Sequence, residues 1–280
     1  MIVSQVAILM VSFIKASAIP DPATPTAVVS FHREVLPILT KAGCNQGACH
    51  GTPTGKNGFR LSLRGYDPAL DQFTLLREIG GRRIDRLSPD ASLILAKGSA
   101  RVPHEGGNRL PQGSWLYQRL KRWIEQGAGI DSENAEPPVT LEMTPMRSVI
   151  DAPADRLAFR VTATFADGRS VDVTGLSRFA VSDETVARVS RDGEVQRHRR
   201  GEIAVTAEYM SRMATATVLF RDPNPSYKTP SFPPENFIDA ILFEKWQELQ
   251  VIPGERCTDA EFLRRVTLDL TSQLPTPDAV

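Results

Sequence analysis

The sequence predicts a chain of unlike parts: a helical segment over residues 27–130, an all-β sandwich over 138–222, and the opening of a second helical segment over 237–280. Two observations predict this order. The apolar residues recur at helical spacing before residue 130, alternate between 138 and 222, and return to helical spacing after 237. The Pro-rich stretch "RDPNPSYKTPSFPPEN" separates the second and third parts, with an extended linker over 223–236. At 280 residues the chain is long enough for two ordinary domains and part of a third. Apolar residues at 41% and charged residues at 24% suit a globular protein. Lys+Arg and Asp+Glu balance at 33 each, so no basic field points to nucleic acid.

The N-terminal run "VAILMVSFI" (6–14) is too short to span a bilayer and precedes Ala16-Ser17-Ala18, an A-x-A cleavage pattern. Residues 1–18 therefore read as a signal peptide cut after Ala18. They depart from the usual form because no Lys or Arg precedes the apolar run, and a buried N-terminal strand is the competing reading. No other apolar stretch approaches membrane length. The expected mature protein is exported, to the periplasm or the cell surface, where thiols seldom stay free.

In "VVSFHREVLPILTKAG" the residues Val28, Phe31, Val35 and Leu39 share a helical face that ends at Gly43, and Pro37 marks a kink or a restart. "SPDASLILAKG" offers Ser88 as N-cap, Pro89 at the first helical position and Gly98 as stop. "GSWLYQRLKRWIEQGA" carries Leu116, Leu120, Trp123 and Ile124 on one face between Ser114 and Gly127. Alternation of Leu157, Phe159, Val161, Ala163 and Phe165 predicts one strand, with Asp167-Gly168 turning into "RSVDVT". Asp192-Gly193 makes a second such turn, and "EIAVTAEY" and "MATATVLF" add two strands. Short strands at regular turn spacing indicate an immunoglobulin-like sandwich. Beyond the linker lie two amphipathic helices, the second with a Thr258/Glu261 capping box, and Thr276-Pro277-Asp278 looks like a further helix start. These cannot bury a core alone. The chain is expected to be the front of a longer protein, or its last helices pack on the other parts.

The chemistry concentrates in "KAGCNQGACHGTPTGKNGF", which holds two of the three cysteines. Cys44-x4-Cys49-His50 resembles a haem-attachment motif lengthened by two residues. In such a site two thiols add across the haem vinyl groups, and the His after the second Cys binds iron. A helix running into the motif and a helix closing the segment give a cytochrome-c-like arrangement, and export agrees with covalent attachment. A Cys44–Cys49 disulfide competes with this reading, and zinc is a weaker competitor because only three soft ligands cluster. No Met lies between residues 11 and 142, so His104 in "KGSARVPHEGGNRL" is the candidate distal ligand. An exposed loop His is its competing reading. Met143, Met146 and His32 are more remote candidates. Arg60, Arg64, Arg82 and Arg83 could meet haem propionates but read more simply as solvated charges. "GTPTGKNG" lacks a Ser or Thr after Lys56 and is not a P-loop. Cys257 reads as a small buried residue at a helix start.

The chain resembles the large secreted planctomycete proteins that join a cytochrome-c-like domain, a bacterial immunoglobulin-like domain and planctomycete-specific helical domains of unknown function. "GCNQGACHG", "GKNGFRLSLRGYDP", "GGRRID" and "VPHEGG" are similar to the first part of that family. "NFIDAILFEKWQEL" and "DAEFLRRVTLDLTSQLPTP" are similar to the opening of its first helical domain. The resemblance implies one covalent haem c on Cys44 and Cys49, with His50 as proximal ligand. It supplies no activity. The expectation is an electron carrier or binding module rather than an enzyme, serving an unidentified redox partner protein. The sandwich would act as spacer, or dock to a cell-surface or polysaccharide partner. Two alternatives stand beside it: a surface-binding protein with a Cys44–Cys49 disulfide, and the redox part of an exported enzyme acting on polysaccharide.

Overall fold

The computed structural model describes residues 17–18, 28–131, 136–228, 233–252 and 254–277. The chain divides into two compact units, Met1–Phe220 and Arg221–Val280. Of the expected leader, only Ser17–Ala18 (β1) fall within the described residues, pairing in parallel with Val171 and Asp172. The rest of that leader lies outside them.

The first helix begins where Ser30 Oγ accepts the Arg33 amide. One π turn, Phe31–Val35, leads into the α-helix Leu36–Lys41 (α1). Pro37 lacks an N–H and sits at the start of α1, so the helix restarts there. Phe31, Val35 and Leu39 are fully buried. Val28 precedes the cap and is exposed, so it does not join that face. Gly43, at φ +81°, ends the run in the left-handed region that glycine tolerates.

Helix α2 (Pro68–Leu76) starts at Asp67, whose carboxylate accepts the Leu70 amide. The single helix expected over 88–98 is instead two pieces, a 3-10 turn Pro89–Ala91 and α3 (Leu93–Gly98). Ser88 makes no side-chain cap. Ser92 is extended, and its buried hydroxyl accepts the Asp85 amide and donates to the Asp85 carbonyl. Those bonds compete with helix continuation. Helix α4 (Trp115–Glu125) is capped by Ser114 Oγ on the Tyr117 amide and stopped at Gly127, φ +94°. Leu116, Leu120, Trp123 and Ile124 are buried as its periodicity requires. The first and last helices meet directly. The Phe31 and Trp123 rings lie 5.6 Å apart, and Arg119 Nε donates to Glu34 Oε1 at 2.6 Å in the core. Removing one partner of such a buried pair costs roughly 3–5 kcal/mol.

Strands β2 (Thr140–Thr144), β3 (Arg147–Asp151), β4 (Arg156–Ala158), β5 (Arg160–Thr164) and β6 (Ser170–Asp172) come next. They are followed by β7 (Arg178–Val181), β8 (Ala187–Val189), β9 (Glu194–Arg197), β10 (Gly201–Tyr209) and β11 (Arg212–Arg221). They make a β-sandwich-like region of three sheets: β1-β6-β5-β2, β3-β11-β10-β7 and β4-β9-β8. The strand expected through "LAFRVTATF" breaks at Phe159. Its front half pairs with β9 and its back half with β2 and β6, while the inward alternation continues across the break. Asp167-Gly168 and Asp192-Gly193 do turn the chain, with both glycines at φ near +80° (+81° and +82°).

The helical segment and the sandwich share one buried core. Lys41, 9% exposed, donates through Nζ to the carbonyls of Thr174 (3.3 Å) and Ser177 (3.0 Å). Tyr209 Oη donates to the Arg33 carbonyl, and the Arg33 guanidinium lies over the Phe165 ring at 4.3 Å.

In the second unit, Asn236 caps α5 (Phe237–Leu249), and the expected Thr258/Glu261 capping box starts α6 (Asp259–Thr271). Neither helix has a fully buried residue. Cys257 is half-buried rather than buried because it precedes the α6 cap. Asp278, in the expected further helix start, lies outside the described residues. Among the described residues no helix is long and apolar enough to cross a membrane.

Candidate functional site

The loop after α1 closes on itself. The amide of Cys44 donates to the Leu39 carbonyl, that of Cys49 to Gln46 and that of His50 back to Cys44. The four residues between the cysteines are thus taken up in a turn, which keeps Cys44 beside His50. Gly51 follows of necessity, because a Cβ there would lie 2.2 Å from the Asn45 carbonyl oxygen.

His50 Nδ1 lies 3.0 Å from the Phe59 carbonyl oxygen. A carbonyl only accepts, so Nδ1 carries the proton and Nε2 of the neutral ring is left as the free lone pair. His104 repeats the arrangement, with Nδ1 2.9 Å from the Gly107 carbonyl. The two imidazoles come from loops far apart in sequence. Their centroids lie 6.4 Å apart and their planes differ by 9°.

Both rings border a cavity of about 410 Å³, within the size range of small-molecule sites. Cys44 and Cys49 line the same cavity, with Leu39, Phe59, Leu93 and Ile94 as apolar wall. Lys56, Arg82, Lys97 and Arg109 stand around it as cations. Lys97 Nζ donates to the Pro103 carbonyl at 2.7 Å, and Arg109 Nε donates to the Gly106 carbonyl at 2.7 Å. These bonds hold the His104 loop from both sides. Lys56 pairs with Glu105 at 3.0 Å and ties that loop to the one after His50. This exposed pair contributes little energy.

Burial lowers the pKa of His50 despite its bond to Phe59, and the nearby His104, Lys56 and Arg83 lower it further. The ring is thereby kept neutral and able to ligate. Burial, with Cys49 alongside, pushes the Cys44 thiol up to about 12. Cys44 and Cys49 are free thiols, so the structure holds no Cys44–Cys49 disulfide. Among the described residues no three His, Cys, Asp or Glu side chains converge as a chelating group.

The remaining sequence candidates separate cleanly. Met143 is buried among the sandwich residues and Met146 is exposed; neither lines the cavity. His32 Nδ1 pairs with Asp131 at 3.0 Å, away from the cavity wall. Arg60 bonds the Pro53 carbonyl, and Arg64 lies 3.8 Å from Glu208 of the sandwich. Arg83 is not a solvated charge: it is 4% exposed and donates to the Thr74 and Gly58 carbonyls. The sequence reading missed Phe59, Lys97 and Arg109. Their signal was proximity to the two histidines in Gly-rich loops, which spacing alone does not rank.

Residues 237–280 match the family model described as PSCyt2, a protein of unknown function (DUF1549). The match supports a planctomycete-type helical domain of unknown function at the C-terminal end. No curated protein matches the chain.

Proposed function

We propose that the helical segment is a cytochrome-c-like domain that carries one covalent haem and transfers electrons in an exported protein. The observation that carries this reading is the placing of His50 and His104 close together on a cavity that both cysteines line. Haem bound there would supply a one-electron iron couple. Cys44 and Cys49 would hold it through thioethers, and His50 and His104 would each offer Nε2 to its iron. Leu39, Phe59, Leu93 and Ile94 would exclude water from its faces, and Arg82 and Arg109 would stand near its carboxylates. Bis-His ligation gives a lower potential than His/Met ligation would. The sandwich, immunoglobulin-like in this reading, would mount the haem domain and dock a redox or surface partner.

The test is a pyridine haemochrome spectrum of the exported protein, followed by the ferric spectrum of His104→Ala. Haem retained by the wild type, with low-spin absorption lost in the variant, supports the reading. Absence of covalent haem refutes it, and an unchanged variant spectrum removes His104 from the iron.

A further inference from the structure

We propose that Arg83 is a positioning residue for His50, fixing which ring nitrogen faces the cavity; this rests on reading His50 as an iron ligand. The Phe59 carbonyl that accepts from His50 Nδ1 lies at the end of the Gly-rich loop 51–58. Gly55 and Gly58 both have positive φ, and a single antiparallel bridge joins Lys56 to Phe59.

Arg83 reaches this loop from the segment after α2. Its Nη2 donates to the Gly58 carbonyl at 2.7 Å, in the peptide unit that leads directly into Phe59. Its Nη1 donates to the Thr74 carbonyl of α2, also at 2.7 Å. Glu78 sits 2.9 Å from Nη2 and balances the buried charge. The guanidinium lies over the Phe59 ring at 4.6 Å, and that ring lies 4.5 Å from the His50 imidazole. One side chain therefore bonds the carbonyl just before Phe59 and lies on the ring of Phe59, whose own carbonyl accepts the His50 N–H, and it anchors both to α2.

The geometry demands arginine. A planar fork reaches two carbonyls and stacks on an aromatic face at once, whereas a lysine ammonium is a point donor. Burial and these bonds also commit Arg83 to the protein, leaving the more exposed Arg82 and Arg109 to meet an anionic ligand. A hydrogen bond from the outer nitrogen of a metal-bound His raises the basicity of the ligand, and loss of such a partner typically costs 10–100-fold in affinity or activity.

The experiment measures the His50 tautomer by ¹⁵N NMR in the full chain produced without haem, for the wild type, Arg83→Lys and Arg83→Met. The wild type is expected to show the Nδ1-protonated form alone. Both variants are expected to show a mixture with the Nε2-protonated form. In haem-loaded protein the same variants should raise the midpoint potential, since a less basic ligand favours ferrous iron. An unchanged tautomer in variants that fold, judged by helical circular dichroism, overturns the proposal. If Arg83→Met does not fold, Arg83→Lys, which keeps the charge and the stem, still decides. A chain that never acquires haem refutes the proposed function, while the tautomer measurement still settles whether Arg83 orients His50.

Discussion

Lys41 offers a sharp test of whether the helical segment and the sandwich form one folded body. Its amine is enclosed between α1 and the sandwich, near the Phe179 ring (5.7 Å) and facing Asp192 and Arg191 of the β8–β9 turn. Burial lowers its pKa from 10.5 to about 8; Asp192 opposes that fall and Arg191 adds to it. A folded pKa below the unfolded one means the folded state prefers the neutral amine. The stabilising contribution is thus fully present above about pH 10.5 and lost as pH falls through about 8. The change amounts to about 3 kcal/mol. Lys41→Met keeps the stem's packing and removes the titration. Denaturant unfolding of both proteins at pH 7 and pH 10.5 isolates it, because contributions shared by the two, such as Cys44 and Tyr209, cancel in the difference. Wild-type stability relative to the variant should rise by about 3 kcal/mol between the two pH values. An equal difference at both would show that the amine is not enclosed, and that the two parts do not share a buried boundary.

Gly106→Ala places a Cβ 2.8 Å from His104 Cε1 and 3.2 Å from Nε2, so the ring must swing away. At about 1–3 kcal/mol for such overpacking, the ferric spectrum of haem-loaded protein should shift toward a five-coordinate form; an unperturbed low-spin spectrum contradicts this. In haem-free protein at pH 8, a Cys44 thiol near 12 should alkylate roughly 1,000-fold more slowly than an ordinary cysteine, as followed by peptide mass. Equal rates in native and unfolded protein contradict that burial. Gly51→Ala, against the Asn45 carbonyl, should lower the melting temperature by several degrees, about 1–3 kcal/mol of strain; an unchanged melting curve would show that the Cys44–His50 loop is slack.

Elements set by local chemistry were legible in the sequence. The Ser114 cap and Gly127 stop bound α4, the Thr258/Glu261 box opens α6, and the two Asp-Gly turns sit where the alternation predicts them. What failed was set by tertiary context. Phe159 keeps its inward phase while the chain passes from one sheet to another, so alternation alone showed one strand. Strand β7 is half-buried at every position and has no period to detect. Ser88 reads as a cap from its place before Pro89, yet its side chain makes no cap bond, and the Ser92 hydroxyl bonds the Asp85 backbone instead of the α3 amides.

At the candidate site, Cys44, Cys49 and His50 stand out in the sequence because they lie close together in it, and the structure sets all three on one cavity. His104 was reached by elimination of methionine, and the structure places it beside His50. Arg83 was not legible. Its neighbours are three carbonyl-bearing or acidic residues and one ring from separate segments, so the sequence shows only one arginine among several. Lys41 was hidden for the same reason, since its partners lie more than a hundred residues away in the sandwich.

The most direct test of the proposed haem is the intact mass of the full chain produced in a periplasm that attaches haem covalently, with peptide mapping across residues 41–60. A gain of one haem is expected on the peptide holding Cys44 and Cys49. A peptide that has instead lost two hydrogens between those cysteines, or that carries two free thiols, would contradict it.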